Sequence, residues 1–211
     1  MDDPVLVKIQ DANFRGLRNS HASSDISKPV VVLFHGFSFS LNDWQRIGTV
    51  AFLSQHGYSS IAIDLPRGKA SKSDKISKSN LSQYIPLLQE ALWSLGLEKE
   101  SKIVIVGPSM GGSFALTFAL ERKEIVQGLV LVAPSTSGII EEELEAVETP
   151  TMLIWGERDG VFPVDTYAKD LKNSLGKSKL LIIKGAGHAA YLDKPQEFHD
   201  LLLDFLEEIS S

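Results

Sequence analysis

Three residues that could carry out acyl chemistry each follow a different apolar segment of this 211-residue chain. Ser109 lies in GPSMGG after KIVIV, Asp159 lies in GERDG after TMLIW, and His188 ends KGAGH after KLLII. A serine acts as a nucleophile when a histidine takes its proton and an acid orients the imidazole. Ser, then Asp, then His is one of the orders in which such triads occur along a chain. The spacing therefore predicts a triad of Ser109, His188 and Asp159.

The glycines around the serine indicate a sharp turn between a strand and a helix. GPSMG fits the pattern G-x-S-x-G, in which the serine backbone is strained and the hydroxyl stands above a sheet. A side chain at Gly107 or Gly111 is expected to collide with the neighbouring strand or helix. The N–H of Met110 would face a developing oxyanion, and the N–H of Phe37, in the HGF loop after VVVLF, is the second predicted donor of this oxyanion hole.

The apolar segments themselves are typical of buried parallel strands. They are apolar throughout rather than alternating, as expected for strands that are covered on both faces. Helical patterns separate them, which favours right-handed βαβ crossovers. The strand segments cover residues 30–34, 60–64, 102–106, 129–133, 151–155 and 179–183, and the helical patterns cover residues 42–57, 80–96, 111–123, 164–176 and 195–210.

These elements predict an α/β fold with three layers and a mostly parallel central sheet, in a single domain over residues 1–211. The N-terminal segments VLVKIQ and FRGLR are expected to add an antiparallel pair at one edge. Ligands bind at the carboxyl ends of the strands in such sheets. The predicted triad lies at that edge.

Each of the three residues also has a plainer interpretation. Ser109 could be an ordinary polar residue of a turn, and His188 could be a capped histidine in a loop. For the acid, Glu157 is the alternative to Asp159, and Asp165 is a further competitor. The joint occurrence of a serine, an acid and a histidine after three strands favours the catalytic interpretation.

The other histidines are interpreted as structural or surface residues. His35 ends a strand at the same edge and is expected to hold the HGF loop through hydrogen bonds. His21, His56 and His199 are expected at the surface or at helix ends. Asp64, which also ends a strand, is expected to stabilise a turn.

Along nearly its full length the chain resembles a small α/β-hydrolase. The stretches HGFSFSLNDWQRIGTVAFLSQHGYSSIAIDLPRGKASKS and IKGAGHAAYLDKPQEFHDLLLDFL more narrowly resemble the abhydrolase-domain-containing-protein-14 subgroup. The resemblance implies a minimal hydrolase without a cap domain, active on small acyl esters, with Ser109 as nucleophile, Asp159 as acid and His188 as base. For that subgroup it also implies acyl transfer from acetylated lysine to coenzyme A. PRGKASKS departs from the usual G-x-G-x-S pattern, because Ala70 stands where the second glycine is common.

Composition and charge argue against several other classes of protein. The net charge of −6 disfavours attraction to nucleic acid, and the absence of cysteine excludes disulfides and thiolate nucleophiles. Neither a metal nor a cofactor is expected, because the histidines and acids lack paired ligand spacing and the first βα turn lacks G-x-G-x-x-G. No apolar run approaches the roughly 18 residues of a membrane span, and MDDPVLVKIQ does not resemble a signal peptide. A cytoplasmic location is therefore expected.

The interval from Pro134 to Pro150 is too short for a cap domain, so an open and shallow substrate pocket is expected. The basic segment RGKASKSDKISK, residues 67–78, is interpreted as a solvated loop or as a border of the active site that attracts anionic substrates. Besides Phe37 and Met110, the predicted apolar lining of the pocket comprises Phe39, Ile139, Ile140, Phe162 and Tyr191.

The predicted function is hydrolysis of small-molecule acyl esters through an acyl-enzyme intermediate. One alternative is transfer of the acyl group to a thiol such as coenzyme A. Another is a non-catalytic module of the same fold that binds a protein partner. A binding module has no need of the triad geometry, so the two catalytic interpretations are favoured.

Overall fold

Residues 3–19 and 28–210 are described in a computed structural model of the protein. Within these residues, eight strands form one sheet in the order β1-β2-β4-β3-β5-β6-β7-β8. Strands β3 to β8 run parallel, whereas β1 and β2 form the antiparallel edge that the N-terminal segments predicted. The strands are β1 Val5–Ile9, β2 Ala12–Asn19, β3 Val30–Leu33, β4 Ser60–Ile63, β5 Ile103–Pro108, β6 Val126–Val132, β7 Thr151–Gly156 and β8 Ser178–Ile183.

Helices cover both faces of the sheet and confirm the three-layer α/β fold. Successive strand residues alternate between the two hydrophobic clusters; Val32, for example, packs under α3 and α4, and Val31 packs under α1, α2 and α8. A 3₁₀ turn, Ser82–Tyr84, precedes α3, and a π-helical turn, Val164–Ala168, precedes α6. The helices are α1 Leu41–Arg46, α2 Thr49–Gln55, α3 Ile85–Ser94, α4 Met110–Glu121, α5 Glu141–Glu145, α6 Lys169–Ser174, α7 Ala190–Asp193 and α8 Pro195–Ser210.

Two helical patterns are interrupted for local reasons that concern the backbone. The pattern over residues 42–57 forms α1 and α2, because Gly48 between them has a φ of 80°, which a continuous helix does not allow. The pattern over residues 80–96 gives α3 only after the 3₁₀ turn. Pro86 occupies the first turn of α3, where its missing N–H costs no helical hydrogen bond.

The connection between β6 and β7 contains the five-residue helix α5, in agreement with the expectation that the interval from Pro134 to Pro150 is too short for a cap domain. Over the parts of the chain that the structure describes, no helix has the length and apolar character needed to cross a membrane.

His199 lies in the core, which corrects the expectation that it is a surface or helix-end residue. It is only 5% exposed, and its Nε2 lies 2.9 Å from Oγ1 of Thr49. Its ring stacks on Phe52 with the centroids 4.7 Å apart. Helix α8 places this histidine on its apolar face, and burial lowers the pKa of His199. His21 lies outside the described residues.

The free energy of unfolding is expected to fall as the pH is lowered from about 7.5 to about 5.5, in part because of His199. Burial lowers its pKa in the folded protein, so the unfolded chain binds the proton first. The contribution is complete above the unfolded pKa of about 6.5 and is lost as the pH falls towards the folded value. Urea denaturation should show a smaller pH slope in His199→Gln, by up to ~1.4 kcal/mol per pH unit. Equal slopes would contradict the prediction.

Candidate active site

Ser109 occupies the turn between β5 and α4. Its backbone has a φ of 49° and a ψ of −119°, a conformation that residues other than glycine rarely adopt. The N–H of Ser109 donates to the carbonyl of Val132 at 3.0 Å. Its carbonyl accepts from the N–H groups of Gly112 at 2.9 Å and Ser135 at 2.8 Å. Hydrogen bonds to β6, to the loop after it and to α4 therefore hold the strained residue in place.

Glycine is needed on both sides of Ser109 because the turn leaves no space for a Cβ atom. A Cβ on Gly107 would lie 2.7 Å from the carbonyl oxygen of Gly111, and a Cβ on Gly111 would lie 2.9 Å from the carbonyl oxygen of His35. Both distances are shorter than real Cβ contacts. The collision that the G-x-S-x-G pattern predicted is therefore confirmed.

The substitution Gly111→Ala is expected to destabilise the protein by about 1–3 kcal/mol, although alanine favours a helix. The added methyl group would push against the backbone of His35, which leads into the loop of Phe37. Gly176→Ala is a matched control, because a Cβ at Gly176 meets open space. Urea denaturation of both variants measures the difference, and equal stabilities would contradict the steric argument.

Asp159 and His188 lie on the loops that follow β7 and β8. Nδ1 of His188 donates to Oδ2 of Asp159 at 2.8 Å. Oδ1 of Asp159 accepts from the N–H groups of Val161 at 2.8 Å and Phe162 at 2.9 Å. The side chain of Asp159 is completely buried, whereas that of His188 is 22% exposed. Hydrogen bonds from the following residues thus hold the carboxylate in place, and the carboxylate orients the imidazole.

The second nitrogen of His188 faces the serine. Its Nε2 lies 3.0 Å from Oγ of Ser109. Because Nδ1 carries the hydrogen that is donated to Asp159, Nε2 is the acceptor and the hydroxyl is the donor. This is the tautomer that a histidine needs to take a proton from serine. The structure therefore brings the three residues singled out in the sequence into one hydrogen-bonded line.

The competing acids have other partners. Glu157 accepts a hydrogen bond from the N–H of Gly185 at 2.9 Å. Asp165 pairs with Lys169 at 2.7 Å, and the hydrogen bond from Lys169 lowers the pKa of Asp165. Neither acid contacts His188 as Asp159 does.

Among residues 3–19 and 28–210, histidine and acidic side chains form no group of three or more that could hold a metal ion.

Phe37 and Met110, the two predicted oxyanion donors, line the same groove as Ser109. Met110 is the first residue of α4, where an N–H has no partner within the helix. A Cβ on Gly36 would lie 3.6 Å from Cβ of Ser109, so the loop that carries Phe37 packs against the serine turn. Within the described chain neither N–H donates to a protein acceptor. Both can therefore donate a hydrogen bond to a substrate oxygen on which negative charge develops.

His35 and Asp64 hold the backbone next to the loop that carries Phe37 through hydrogen bonds. Nδ1 of His35 donates to the carbonyl of Gly36 at 2.8 Å, and its Nε2 accepts from the N–H of Leu65 at 2.8 Å. Burial lowers the pKa of His35, which favours the neutral ring that both donates and accepts. Asp64 is buried, and its Oδ2 accepts from the N–H of Lys72, in the loop after β4, at 2.8 Å. These contacts agree with the structural roles expected for both residues.

A groove with a volume of about 270 Å³ opens at Ser109. Three of the predicted pocket residues, Phe37, Met110 and Phe162, line it, and Phe162 meets the His188 ring edge-on with the centroids 5.2 Å apart. Sequence reasoning missed most of the remaining lining, which includes several serines and an arginine. The groove is lined by Phe37, Arg67, Leu81, Ser109, Met110, Ser113, Phe114, Ser135, Ser137 and Phe162.

Four predicted pocket residues lie elsewhere, which corrects that part of the prediction. Tyr191 is buried against Trp44 with the ring centroids 4.8 Å apart, and Phe39 packs edge-on against Tyr191 at 6.3 Å. Ile139 packs against the hydrophobic core, and Ile140 is 61% exposed at the start of α5. These residues were predicted because they follow strand ends closely in the sequence. That closeness does not determine where a side chain points, and the direction of the side chain decides whether a residue lines the groove.

Comparison with known proteins agrees with this geometry. A family model described as the alpha/beta hydrolase fold matches residues 29–149. A crystal structure described as a "predicted CIB-like hydrolase" from Thermoplasma acidophilum superimposes with a TM-score of 0.86 at 26% identity, covering 98% of both chains. The same class is defined by a parallel sheet, by a serine on a strained turn between a strand and a helix, and by an acid and a histidine after later strands. The chain belongs to the α/β-hydrolase family.

Within that family the chain is of the abhydrolase-domain-containing-14 type, as its sequence resemblance predicted. Protein ABHD14A of Homo sapiens is 36% identical over 180 residues, which cover 85% of this chain and 64% of ABHD14A. The Homo sapiens protein named "Putative protein-lysine deacylase ABHD14B" is 35% identical over 180 residues, which cover 84% of this chain and 82% of that protein. The chain thus spans less than two thirds of the length of ABHD14A.

Proposed function

We propose that the protein is a serine hydrolase that cleaves small acyl compounds through an acyl-enzyme on Ser109. The observation that supports this proposal is the hydrogen-bonded line from Asp159 to His188 at 2.8 Å and from His188 to Ser109 at 3.0 Å. A structural serine has no need of a histidine whose other nitrogen is bound by a buried carboxylate. The line also ends at a groove, where a substrate can reach the hydroxyl.

The proposed first step transfers the acyl group to the protein. Nε2 of His188 takes the proton of the Ser109 hydroxyl as Oγ attacks the carbonyl carbon. The carbonyl oxygen becomes negative and accepts hydrogen bonds from the N–H groups of Phe37 and Met110. Asp159 stabilises the imidazolium, which then gives its proton to the leaving oxygen or nitrogen. The bond to the leaving group breaks, and an ester on Ser109 remains.

The second step releases the acyl group and restores the serine. His188 takes a proton from a water molecule, whose oxygen attacks the ester carbon in the same oxyanion hole. The proton then passes from His188 to Oγ of Ser109, and a carboxylic acid leaves. Since the groove is open and holds about 270 Å³, the substrate class favoured here is a small carboxylic ester.

Turnover of p-nitrophenyl esters tests the proposal. The protein should hydrolyse the acetate and the butyrate with a burst of p-nitrophenol when deacylation is the slower step. The dodecanoate should be a poor substrate, because the groove is too small to bury its chain. Failure to turn over the acetate and the butyrate, in a protein that unfolds cooperatively, would count against the proposed function.

A second candidate is deacylation of lysine amides with a thiol such as coenzyme A as the acyl acceptor. It is favoured by the 35% identity to the Homo sapiens protein named "Putative protein-lysine deacylase ABHD14B". In this variant of the mechanism a thiol replaces water in the second step, so the acyl group leaves as a thioester. Coenzyme A should then accelerate release of p-nitrophenol from the acetate, and acetyl-coenzyme A should accumulate. Release that is independent of the thiol would favour simple hydrolysis.

A further inference from the structure

Among the described residues that line the groove at Ser109, one is a cation and none is an acid. Arg67, on the loop after β4, lines the groove together with the serine, and none of the other lining residues is Asp or Glu. In the described residues its guanidinium has no hydrogen-bond or ion-pair partner. Arg15 and Arg46, in contrast, pair with Asp64 at 3.3 Å and Asp43 at 2.9 Å. Arg67 is exposed, and its place in the lining of the groove distinguishes it from the other basic residues of segment 67–78.

The backbone around Arg67 is fixed, although its head group is free. The N–H of Gly68 donates to the carbonyl of Leu65 at 3.0 Å, and the ammonium of Lys75 donates to the carbonyl of Gly68. One residue further, the N–H of Lys69 donates to the carbonyl of Phe37 at 2.6 Å. The loop of Arg67 is thereby joined to the loop that carries one of the proposed oxyanion donors. The backbone from which the Arg67 side chain extends is therefore held beside the loop of Phe37.

The chemistry of the groove matches an oxygen anion. A guanidinium presents a planar fork of donors that fits the two oxygens of a carboxylate or phosphate. The hydroxyls of Ser135 and Ser137 add further donors, while Leu81 and Phe114 supply apolar surface for a short chain. The buried carboxylate of Asp159 does not compete, because both of its oxygens already accept hydrogen bonds from the protein.

We infer that Arg67 binds a carboxylate or phosphate group of the substrate, so that this chain selects anionic acyl compounds. This inference rests on the proposed acyl chemistry at Ser109 and adds the substrate class. The anionic group can belong to the acyl chain or to the leaving group. In both cases one ion pair with Arg67 forms when the substrate enters the groove, and it strengthens binding of the ground state and the transition state.

Two pairs of chromogenic esters test the inference and distinguish the two sources. The first pair compares the p-nitrophenyl half-ester of glutaric acid with p-nitrophenyl pentanoate, which places the charge on the acyl chain. The second pair compares 5-acetoxy-2-nitrobenzoate with p-nitrophenyl acetate, which places the charge on the leaving group. For each pair the ratio of kcat/KM between the anionic and the neutral ester is measured in wild type, Arg67→Gln, Arg67→Lys and Lys72→Gln. Lys72 is exposed in the same basic segment and does not line the groove.

In Arg67→Gln the ratio should fall about tenfold for the pair whose charge meets the guanidinium, as expected for loss of a charged hydrogen bond. Arg67→Lys should retain part of the ratio, because lysine keeps the charge and loses the fork. Lys72→Gln removes the same charge from the segment and should leave both ratios within about twofold of wild type. A lower kcat/KM ratio for the glutarate pair assigns the anion to the acyl chain, and a lower ratio for the nitrobenzoate pair assigns it to the leaving group.

The outcomes also separate this inference from the proposed function. If neutral esters are hydrolysed through Ser109 and Arg67→Gln changes neither ratio, the anion inference is wrong and the hydrolase proposal stands. An equal fall in Lys72→Gln would assign the effect to the general field of the segment and would overturn the role of Arg67. If wild type hydrolyses no ester, calorimetric binding of glutarate decides: weaker binding in Arg67→Gln supports the inference, and equal binding contradicts it.

Discussion

Replacing Ser109 with alanine is expected to lower kcat/KM for p-nitrophenyl butyrate by at least about 10⁴-fold. The substitution removes the hydroxyl oxygen on which we propose that the acyl-enzyme forms, and His188 Nε2 is left without the hydroxyl that lies 3.0 Å away. The fold should survive, because alanine and serine have the same Cβ and meet the same strain at a φ of 49°. Residual turnover should reflect only binding and the oxyanion donors.

Ser113→Ala is the matched control for this substitution. Ser113 lies in the first turn of α4 and also lines the groove, but its hydroxyl donates to the carbonyl of Ser135 at 2.8 Å and not to His188. This variant should keep kcat/KM within about tenfold of wild type, since it loses one ordinary hydrogen bond. Activity of Ser109→Ala within that same range would show that another group performs the chemistry.

Replacing Asp159 with asparagine is expected to lower kcat/KM by about 10³- to 10⁴-fold. Asparagine can keep the hydrogen bonds from the N–H groups of Val161 and Phe162 through its oxygen, so the turn should remain. Its amide nitrogen would then face Nδ1 of His188 as a donor, which favours the tautomer with the hydrogen on Nε2. That tautomer cannot take the proton of the serine, and no carboxylate stabilises the imidazolium.

Glu157→Gln is the control for the choice of the acid. Glu157 binds the N–H of Gly185 at 2.9 Å, and glutamine can accept the same hydrogen bond. This variant should therefore retain activity within about threefold of wild type. A large loss in Glu157→Gln together with a small loss in Asp159→Asn would identify Glu157 as the acid and overturn the proposed role of Asp159.

The sequence was sufficient to predict the sheet and the positions of the three hydrogen-bonded residues. Strands covered on both faces leave uninterrupted apolar runs, and polar residues directly after such runs meet at one edge of a parallel sheet. The steric need for Gly107 and Gly111 could also be predicted, because it depends on backbone contacts within a single turn.

Properties that depend on side-chain direction could not be predicted in the same way. Tyr191 follows His188 by three residues, yet the short helix α7 turns it into the core against Trp44. His199 lies on the apolar face of α8 and is nevertheless buried. Thr49 on α2, far from it in the sequence, supplies a polar partner for its ring. The basic segment could be predicted to border the site, but the orientation of Arg67 into the groove depends on the bonds that anchor its loop.

The nucleophilic role of Ser109 is tested most directly by covalent modification with a fluorophosphonate, with the modified residue determined by intact mass and peptide mapping. We expect one adduct per chain, on Ser109, which forms rapidly in wild type and very slowly in His188→Gln because the hydroxyl then lacks its base. An adduct on another residue, or equal labelling of wild type and Ser109→Ala, would contradict the proposed role of Ser109.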